Sequence, residues 1–314
     1  MKEYSVRKYQ PTDYTVWNQF VSEAKNGTFL FHRDFMEYHN DRFEDFSMLV
    51  FDQKNNLTAI IPANVSSNEV ISHQGLTYGG FVLTKNIGGT NFTKVFQSVL
   101  TFLQSIGIAS FTIKMQPPLY SEIGNGGLDF CLFQKGINAY RKDMALLIDY
   151  SHQHRFHKSK EKHWKKFDDL HLEIREESSL KVFWEKVLVP RLSEKHQSSP
   201  VHTLEEIEKL KALFPYSIRQ FSIYKEETIL AGITIFEFSN GVKSQYGATT
   251  QEGEENRALD FLFMHLIEKF KKEGKRFFDM GIVNDGTSCN QGLLKQKEEL
   301  GCAIYTQDHY KIIV

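Results

Sequence analysis

A glycine-rich loop, HQGLTYGG at residues 73–80, carries side chains suited to acid–base chemistry. His73 can transfer a proton to or from a reacting group, and Gln74 and Tyr78 can hold a substrate by hydrogen bonds. The glycines permit close approach of the backbone to a ligand. The same residues are equally consistent with a tight loop in which Tyr78 packs into the core.

A second glycine-containing loop follows a predicted strand near residue 281. Gly281 and Gly286 have the spacing of a P-loop, but the lysine that would contact the β- and γ-phosphates is absent. NTP hydrolysis is therefore excluded, and a turn into a helix capped by Asn290 explains the pattern more simply. Asn284, within this turn, is a candidate substrate-binding residue.

Metal and hydrolase motifs are absent from the sequence. His152, His154 and His157 lie close together, but no carboxylate or thiol stands at ligand spacing with them. Neither HExxH nor GxSxG occurs. We therefore predict no metal centre, and no α/β-hydrolase nucleophile.

The sequence contains an internal repeat with an offset of about 170 residues. The ordered matches predict a duplicated domain, and we expect the active site at the seam between the halves, where pockets tend to lie. The matched positions are Val70, Ser72 and Gly75 with Val242, Ser244 and Gly247, preceded by Leu57, Ala59 and Ile61 with Ile229, Ala231 and Ile233, and followed by Phe96, Leu103 and Gly107 with Phe263, Phe270 and Gly274.

Composition places the 314-residue chain among globular proteins, with 41% hydrophobic and 25% charged residues. A net charge of −1 provides no general attraction to nucleic acid or anionic membrane. Three widely spaced cysteines suggest a reducing compartment. We find no signal peptide and no transmembrane segment, and we predict a cytoplasmic protein. The oligomeric state is left open.

Periodicity predicts the same element order, β-α-α-β-β-β-α-β, in each half. The predicted fold class is α/β, with α+β mixed sheets covered by helices. We predict domain 1 at residues 1–149, a basic bridging helix at 150–169 and domain 2 at 170–314.

This doubled order resembles two tandem GNAT (acyl-CoA N-acyltransferase) domains, and most closely the FemAB-like and CelD-like bacterial group. The most specific likeness lies in residues 276–301, where the group has Asp-x-Gly and then Gly-Leu-x-x-Phe-Lys-x-x-Phe-Gly. This chain has DMG at 279–281 and GLLKQKEELG at 292–301. Gln296 and Leu300 replace the two phenylalanines, and Lys297 falls on the family lysine.

The resemblance implies roles for further residues. It makes Lys297 a donor to a substrate phosphate or carbonyl, and Tyr246, like His73, a proton-transfer or oxyanion group. Gly247 lies on the strand that faces the acyl group in GNAT proteins, and the segment after the first helix, with His32 and an exposed Arg33, is where they usually contact the acceptor. Arg155 and Lys158 occupy the place of a basic helix that holds phosphates in FemAB-like proteins, although a solvated face explains them as well.

The acyl donor is left open by the sequence. GNAT proteins bind acyl-CoA through a glycine-rich loop before the third helix, but the equivalent segment in the second half, QEGEENR at 251–257, is acidic. The first half has Gly88 and Gly89 there, so acyl-CoA is one candidate donor and aminoacyl-tRNA is the alternative.

The resemblance implies an N-acyltransferase, an acetyltransferase or aminoacyltransferase without a metal. It would transfer an acyl or aminoacyl group to an amine of a cell-wall (peptidoglycan) or surface-polysaccharide precursor. The alternative is a non-catalytic GNAT-fold binding module in a polysaccharide or nucleotide-sugar pathway.

Overall fold

The computed structural model describes residues 4–121 and 126–314, except for the side chains of His196 and Asp285. The first half of the chain follows the predicted order of helices and strands, with one further helix, α4, and further short strands, which include β2 and β7. They are β1 (Tyr4–Lys8), α1 (Tyr14–Glu23), α2 (Arg33–Met36), β2 (Glu44–Asp45), β3 (Met48–Asp52), β4 (Leu57–Ile61), β5 (Asn64–Ser66), β6 (Glu69–Ser72), β7 (Val82–Leu83), α3 (Gly89–Ser105), β8 (Ser110–Lys114), α4 (Gly127–Gln134) and β9 (Arg141–Asp149).

The second half begins with a helix that covers only Lys158–Trp164 of the predicted bridging helix at 150–169, and then follows a similar order. Its elements are α5 (Lys158–Trp164), β10 (Leu172–Glu177), α6 (Lys181–Phe183), a π-helical turn (Trp184–Leu188), α7 (Val189–His196), α8 (Leu204–Leu213), β11 (Ile218–Lys225), β12 (Thr228–Glu237), β13 (Gly241–Thr249), α9 (Gln251–Glu255), α10 (Ala258–Lys272), β14 (Phe277–Ile282), β15 (Asn284–Asp285), β16 (Ser288–Cys289), α11 (Gln291–Glu299) and β17 (Ala303–Ile313).

The chain forms two compact units. Unit 1 comprises Met1–Asp143 with Thr306–Val314, and unit 2 comprises Met144–Tyr305. The division differs from the predicted one because each half gives its last strand to the other unit. In unit 2, β9 pairs with β14, and in unit 1, β17 pairs with β8. The bridging segment 150–169 is part of unit 2. Residue alternation identifies a strand but not its hydrogen-bonding partner, so the sequence could not show this exchange.

Unit 1 has two sheets, with strand orders β1-β3-β4-β7 and β17-β8-β6-β5-β2. Its core includes Phe96 and Leu103 of α3, whose apolar residues recur at helical spacing, and Phe111 of β8. The strands β6 and β8 run parallel, as a βαβ crossover through α3 requires.

The main sheet of unit 2 has the order β10-β11-β12-β13-β14-β9, and β15 and β16 pair as a separate two-stranded sheet. The helix α10 packs Phe263, Ile267 and Phe270 into its core and joins the parallel strands β13 and β14. The repeat therefore places the same parallel pair and crossover helix in both units, β6-α3-β8 and β13-α10-β14. Glycines in the left-handed region, Gly107 and Gly274 (both φ +78°), follow the two helices. No helix within the described residues is long and apolar enough to cross a membrane.

Candidate active site

Strands β13 and β14 separate shortly after they begin to pair. Their parallel ladder runs from Gly241 opposite Phe277 to Lys243 opposite Asp279. Two charged side chains therefore stand at the last pair before the strands diverge, and both are buried. The Lys243 ammonium donates to Asp279 Oδ2 at 3.2 Å. A buried charge needs such a partner, because desolvation of an unpaired ion costs several kcal/mol.

Helix α11 brings Lys297 to the same place. Asn290 caps this helix as predicted, its side-chain oxygen accepting from the Leu293 N–H at 3.0 Å. Lys297 is 5% exposed, and its ammonium donates to the carbonyls of Gly281 (3.2 Å) and Ile282 (3.3 Å). The motif lysine is thus a buried donor from α11 to the backbone of β14, where that strand leaves the ladder.

Gly281 lies beside the ammonium groups of Lys243 and Lys297. Its φ of +79° lies in the left-handed region, where a side chain is strained. Its amide donates to Asp279 Oδ1 at 2.6 Å. A Cβ added to Gly281 would lie 3.7 Å from the Lys243 ammonium and 4.0 Å from that of Lys297. The ammonium groups of Lys243 and Lys297 therefore both lie near the backbone turn at Gly281, and Lys243 is bonded to the Asp279 carboxylate.

The surroundings make Lys297 an unusually weak base. Burial is the main cause and the neighbouring Lys243 charge the second, and together they lower the pKa of Lys297 to about 8 from 10.5. Asp279 and Cys302 act in the opposite direction but more weakly. At neutral pH the group is still mostly protonated, so it can donate a hydrogen bond to a substrate oxygen.

Tyr246, the second predicted catalytic residue of this unit, has a different set of contacts. Its hydroxyl lies 2.5 Å from His202 Nδ1, and its ring meets Trp184 edge-on at 4.9 Å between centroids. Burial raises the pKa of Tyr246 to about 12, which keeps the hydroxyl protonated at neutral pH. Tyr246 also lies where the β12–β13 register shifts, since Thr234 faces Tyr246 and Ile235 faces Ser244. It can serve as a hydrogen-bond donor but not as a base.

In unit 1, the environment of His73 does not suit proton transfer near neutrality. The ring stacks on His39 at 5.6 Å between centroids, and Nδ1 accepts from the Gly75 amide at 3.0 Å. Burial first, and the neighbouring His39 second, lower the pKa of His73 to about 3. An efficient acid–base group has a pKa near the working pH. The geometry therefore favours a neutral hydrogen-bonding histidine.

The expectation of an exposed Arg33 is wrong. This side chain is buried, with its guanidinium paired to Glu37 (2.9 Å) and Asp45 (3.2 Å) and lying 3.9 Å from the centre of the Tyr9 ring. Glu37 and Asp45 therefore occupy the guanidinium N–H groups that would have bound a substrate. His32 next to it is half-buried, and burial lowers its pKa.

The other loop candidates of unit 1 are tied to the protein itself. Tyr78 is fully buried and donates to Thr28 Oγ1 at 3.0 Å, so the packed alternative describes it and the substrate-binding one does not. The Gln74 backbone N–H donates to Asn64 Oδ1 at 3.0 Å, and its side-chain oxygen accepts from the Asn64 amide at 2.6 Å, which braces the loop.

The remaining polar candidates in unit 2 are Arg155, Lys158 and Asn284. Arg155 and Lys158 are exposed, as the solvated-face interpretation expects. The neighbouring Lys160, which the sequence did not single out, is buried and donates to Asp260 at 2.6 Å. Asn284 accepts from the Met144 amide at 2.6 Å, so its oxygen supports the backbone.

The acidic segment of unit 2 at the position of the GNAT acyl-CoA loop does not suit a pyrophosphate, as its sequence indicates. It forms α9, capped by the Thr250 side chain, which accepts from the Gly253 amide at 3.0 Å. A Cβ on Gly253 would lie 2.3 Å from the Leu230 oxygen, so this glycine serves packing rather than ligand approach. Glu254 on this turn pairs with Arg191 and Lys195.

The three glycine candidates differ in their surroundings. Gly88 caps the 17-residue helix α3, of which Gly89 is the first residue. A Cβ on either would meet nothing within 4 Å, which leaves room for a ligand. A Cβ on Gly247 would make only ordinary contacts, with Phe263 the nearest at 3.7 Å. The glycine at 247 is therefore not required by packing.

Searches with known proteins found similarity only at the level of structure. No protein-family model and no curated protein matches this sequence. FemX superposes with a TM-score of 0.69 at 10% identity, covering 99% of this chain and 97% of FemX. L-PGS from Bacillus licheniformis gives a TM-score of 0.60 at 14% identity, covering 97% and 92%.

A tandem GNAT protein from the clavulanic acid biosynthesis pathway also superposes, with a TM-score of 0.55 at 8% identity, covering 99% of this chain and 98% of that protein. The chain has a tandem GNAT fold. The predicted fold class is thereby confirmed, and so is the resemblance to FemX-like tandem structures. Within the tandem GNAT fold, Lys297 lies beside the β13–β14 divergence, on the helix that follows β14. The sequence missed Lys243, Asp279 as its partner, and His202.

Proposed function

We propose that the protein is an N-acyltransferase that moves an acyl or aminoacyl group to an amine of a cell-wall or surface-polysaccharide precursor. The observation that carries the proposal is the buried ammonium of Lys297, held at the strand divergence by the carbonyls of Gly281 and Ile282. It occupies the position of the lysine in the FemAB-like motif, and the fold is that of tandem GNAT structures.

Acyl transfer to an amine requires few catalytic groups. Attack of an amine on an acyl carbon develops negative charge on the carbonyl oxygen, and one aligned donor contributes about 3–4 kcal/mol to stabilising it. Lys297 has a donor hydrogen beyond the two used by the carbonyls. Alignment of the reactants supplies much of the remaining acceleration, roughly 7–11 kcal/mol in ideal cases. A Ser–His–Asp type triad is not needed.

Tyr246 is a second donor in this proposal. Its hydroxyl stays protonated near neutrality and is joined to His202, which connects it to a second titratable group. The hydrogen bond to His202 orients the Tyr246 hydroxyl, which can donate to the oxygen of a substrate. Since Tyr246 and Lys297 have different neighbours, we expect their effects on the rate to be separable by single substitutions.

We propose an aminoacyl ester such as aminoacyl-tRNA as the donor. The helical, acidic segment Gln251–Glu255 of unit 2 does not offer the open amide cradle that a CoA pyrophosphate needs. The uncharged turn at Gly88 and Gly89 in unit 1 leaves acyl-CoA as the second donor to test.

The test compares donors and a matched pair of variants. Purified protein is incubated with charged tRNA or with acetyl-CoA and an amine-bearing peptidoglycan precursor, and products are detected by mass spectrometry. We expect a mass increase with charged tRNA that Lys297→Met abolishes and Lys295→Met, an exposed lysine on the same helix, preserves. Absence of product with every donor, together with tight precursor binding, would favour the non-catalytic binding module.

A further inference from the structure

Two buried lysines but only one buried aspartate lie where β13 and β14 diverge. Lys243 and Lys297 are 9% and 5% exposed, and Asp279 is 2% exposed. Both ammonium nitrogens lie within about 4 Å of the position of a Cβ on Gly281, at 3.7 and 4.0 Å. Desolvation makes such proximity of like charges costly, so the arrangement calls for a reason.

The hydrogen bonds divide the two lysines by role. Lys243 donates to the Asp279 carboxylate at 3.2 Å, whereas Lys297 donates to two backbone carbonyls. Carbonyl dipoles hold an ammonium in place while neutralising less of its charge than a carboxylate would. Lys297 therefore keeps most of its charge and one hydrogen for another acceptor.

We propose that Lys243 is a positioning residue, which holds the Asp279 carboxylate and so leaves Lys297 to donate to substrate. Lys243 itself touches no reacting atom in this account. Its effect on the transfer rate rests on the proposed function, but its effect on the Lys297 ammonium does not. The charged groups acting on that ammonium are Lys243 on β13 and Asp279 on β14. The Cys302 thiol after α11 is also near, but burial raises its pKa and keeps it neutral.

The direct test follows the protonation of Lys297 without any substrate. Protein labelled with 13C at lysine Cε is titrated by NMR, and the Lys297 signal is assigned by its loss in Lys297→Arg. We expect a midpoint of about 8 in the wild type. In Lys243→Met the midpoint should move upward toward the ordinary lysine value, because a repelling charge is gone and Asp279 is released.

Two further variants separate this role from mere packing. Lys243→Arg keeps the charge and should leave the midpoint close to that of the wild type. Asp279→Asn removes the attractive charge and should move the midpoint downward, opposite to Lys243→Met. A packing defect would instead expose Lys297 and raise the midpoint in all three variants.

The inference is overturned if Lys243→Met leaves the midpoint unchanged, or if Lys243→Arg raises it as much as Lys243→Met does. Should Asp279→Asn fail to fold, the Met and Arg variants at 243 still decide the matter. If the Lys297 midpoint shifts in Lys243→Met but the wild type shows no transfer activity, the effect of Lys243 on Lys297 stands and the transferase proposal is rejected. The converse result, activity with an unshifted midpoint, would retain the transferase and reject the role of Lys243.

Discussion

Replacing Lys297 by methionine should remove activity while changing stability little. The pKa of about 8, against 10.5 for an ordinary lysine, means that the folded protein disfavours the ammonium. The difference corresponds to about 3 kcal/mol at 1.36 kcal/mol per pKa unit. Methionine relieves this cost and fills a similar volume.

The same substitution has a cost of comparable size. The carbonyls of Gly281 and Ile282 lose their donor, and an unsatisfied buried polar group costs about 1–3 kcal/mol. The two effects nearly cancel, so we expect the free energy of unfolding at pH 7 to change by less than about 2 kcal/mol. Loss of one donor to a developing oxyanion should reduce transfer by roughly 10²–10³-fold or more.

The pH dependence checks the reasoning independently of activity. Between the folded pKa of about 8 and the unfolded value of 10.5, the unfolded chain binds more protons at this site. Wild-type stability should therefore rise with pH across this window relative to Lys297→Met, by up to about 3 kcal/mol. Urea unfolding of both proteins at pH 7, 9 and 10.5 measures the difference. A difference that is independent of pH, or a loss well above 4 kcal/mol at pH 7, would refute the argument.

Three further predictions are tested by urea unfolding. Gly281→Ala should cost about 1–2 kcal/mol because alanine is strained at φ +79°, whereas Gly89→Ala, in the first turn of α3 with open space, should cost nothing measurable; equal losses would contradict this. Arg33→Met should cost about 1–2 kcal/mol, since it leaves two partly exposed carboxylates without their cation, and a stable but inactive variant would instead return Arg33 to the substrate site. Thr203→Ala should cost about 1 kcal/mol through loss of the capping box with Glu206, and an unchanged midpoint would show that α8 does not need it.

Local periodicity was enough to predict most helices and strands and the repeat that joins them. The positions matched in sequence, Ser72 with Ser244 for instance, lie on β6 and β13, the first strands of the two parallel pairs. The strand exchange could not be predicted, because β9 and β17 read as strands whichever unit they join. Partner choice depends on contacts between residues far apart in the chain.

The site was predictable only where a motif marked it. Lys297 lies in a recognisable motif, while Lys243 is an isolated lysine in a strand and carries no signal. Arg33 and Tyr78 were assigned to substrate because their types suit recognition. The structure buries both, since an arginine with internal carboxylates and a tyrosine with one hydroxyl partner can be accommodated in a core.

The most direct measurement of the central claim is a crystal structure with a stable amide analogue of an aminoacylated nucleotide. We expect the carbonyl or phosphate oxygen of the analogue to accept a hydrogen bond from the Lys297 ammonium, at about 2.7–3.2 Å. An analogue bound elsewhere, with Lys297 still donating only to Gly281 and Ile282, would contradict the assignment.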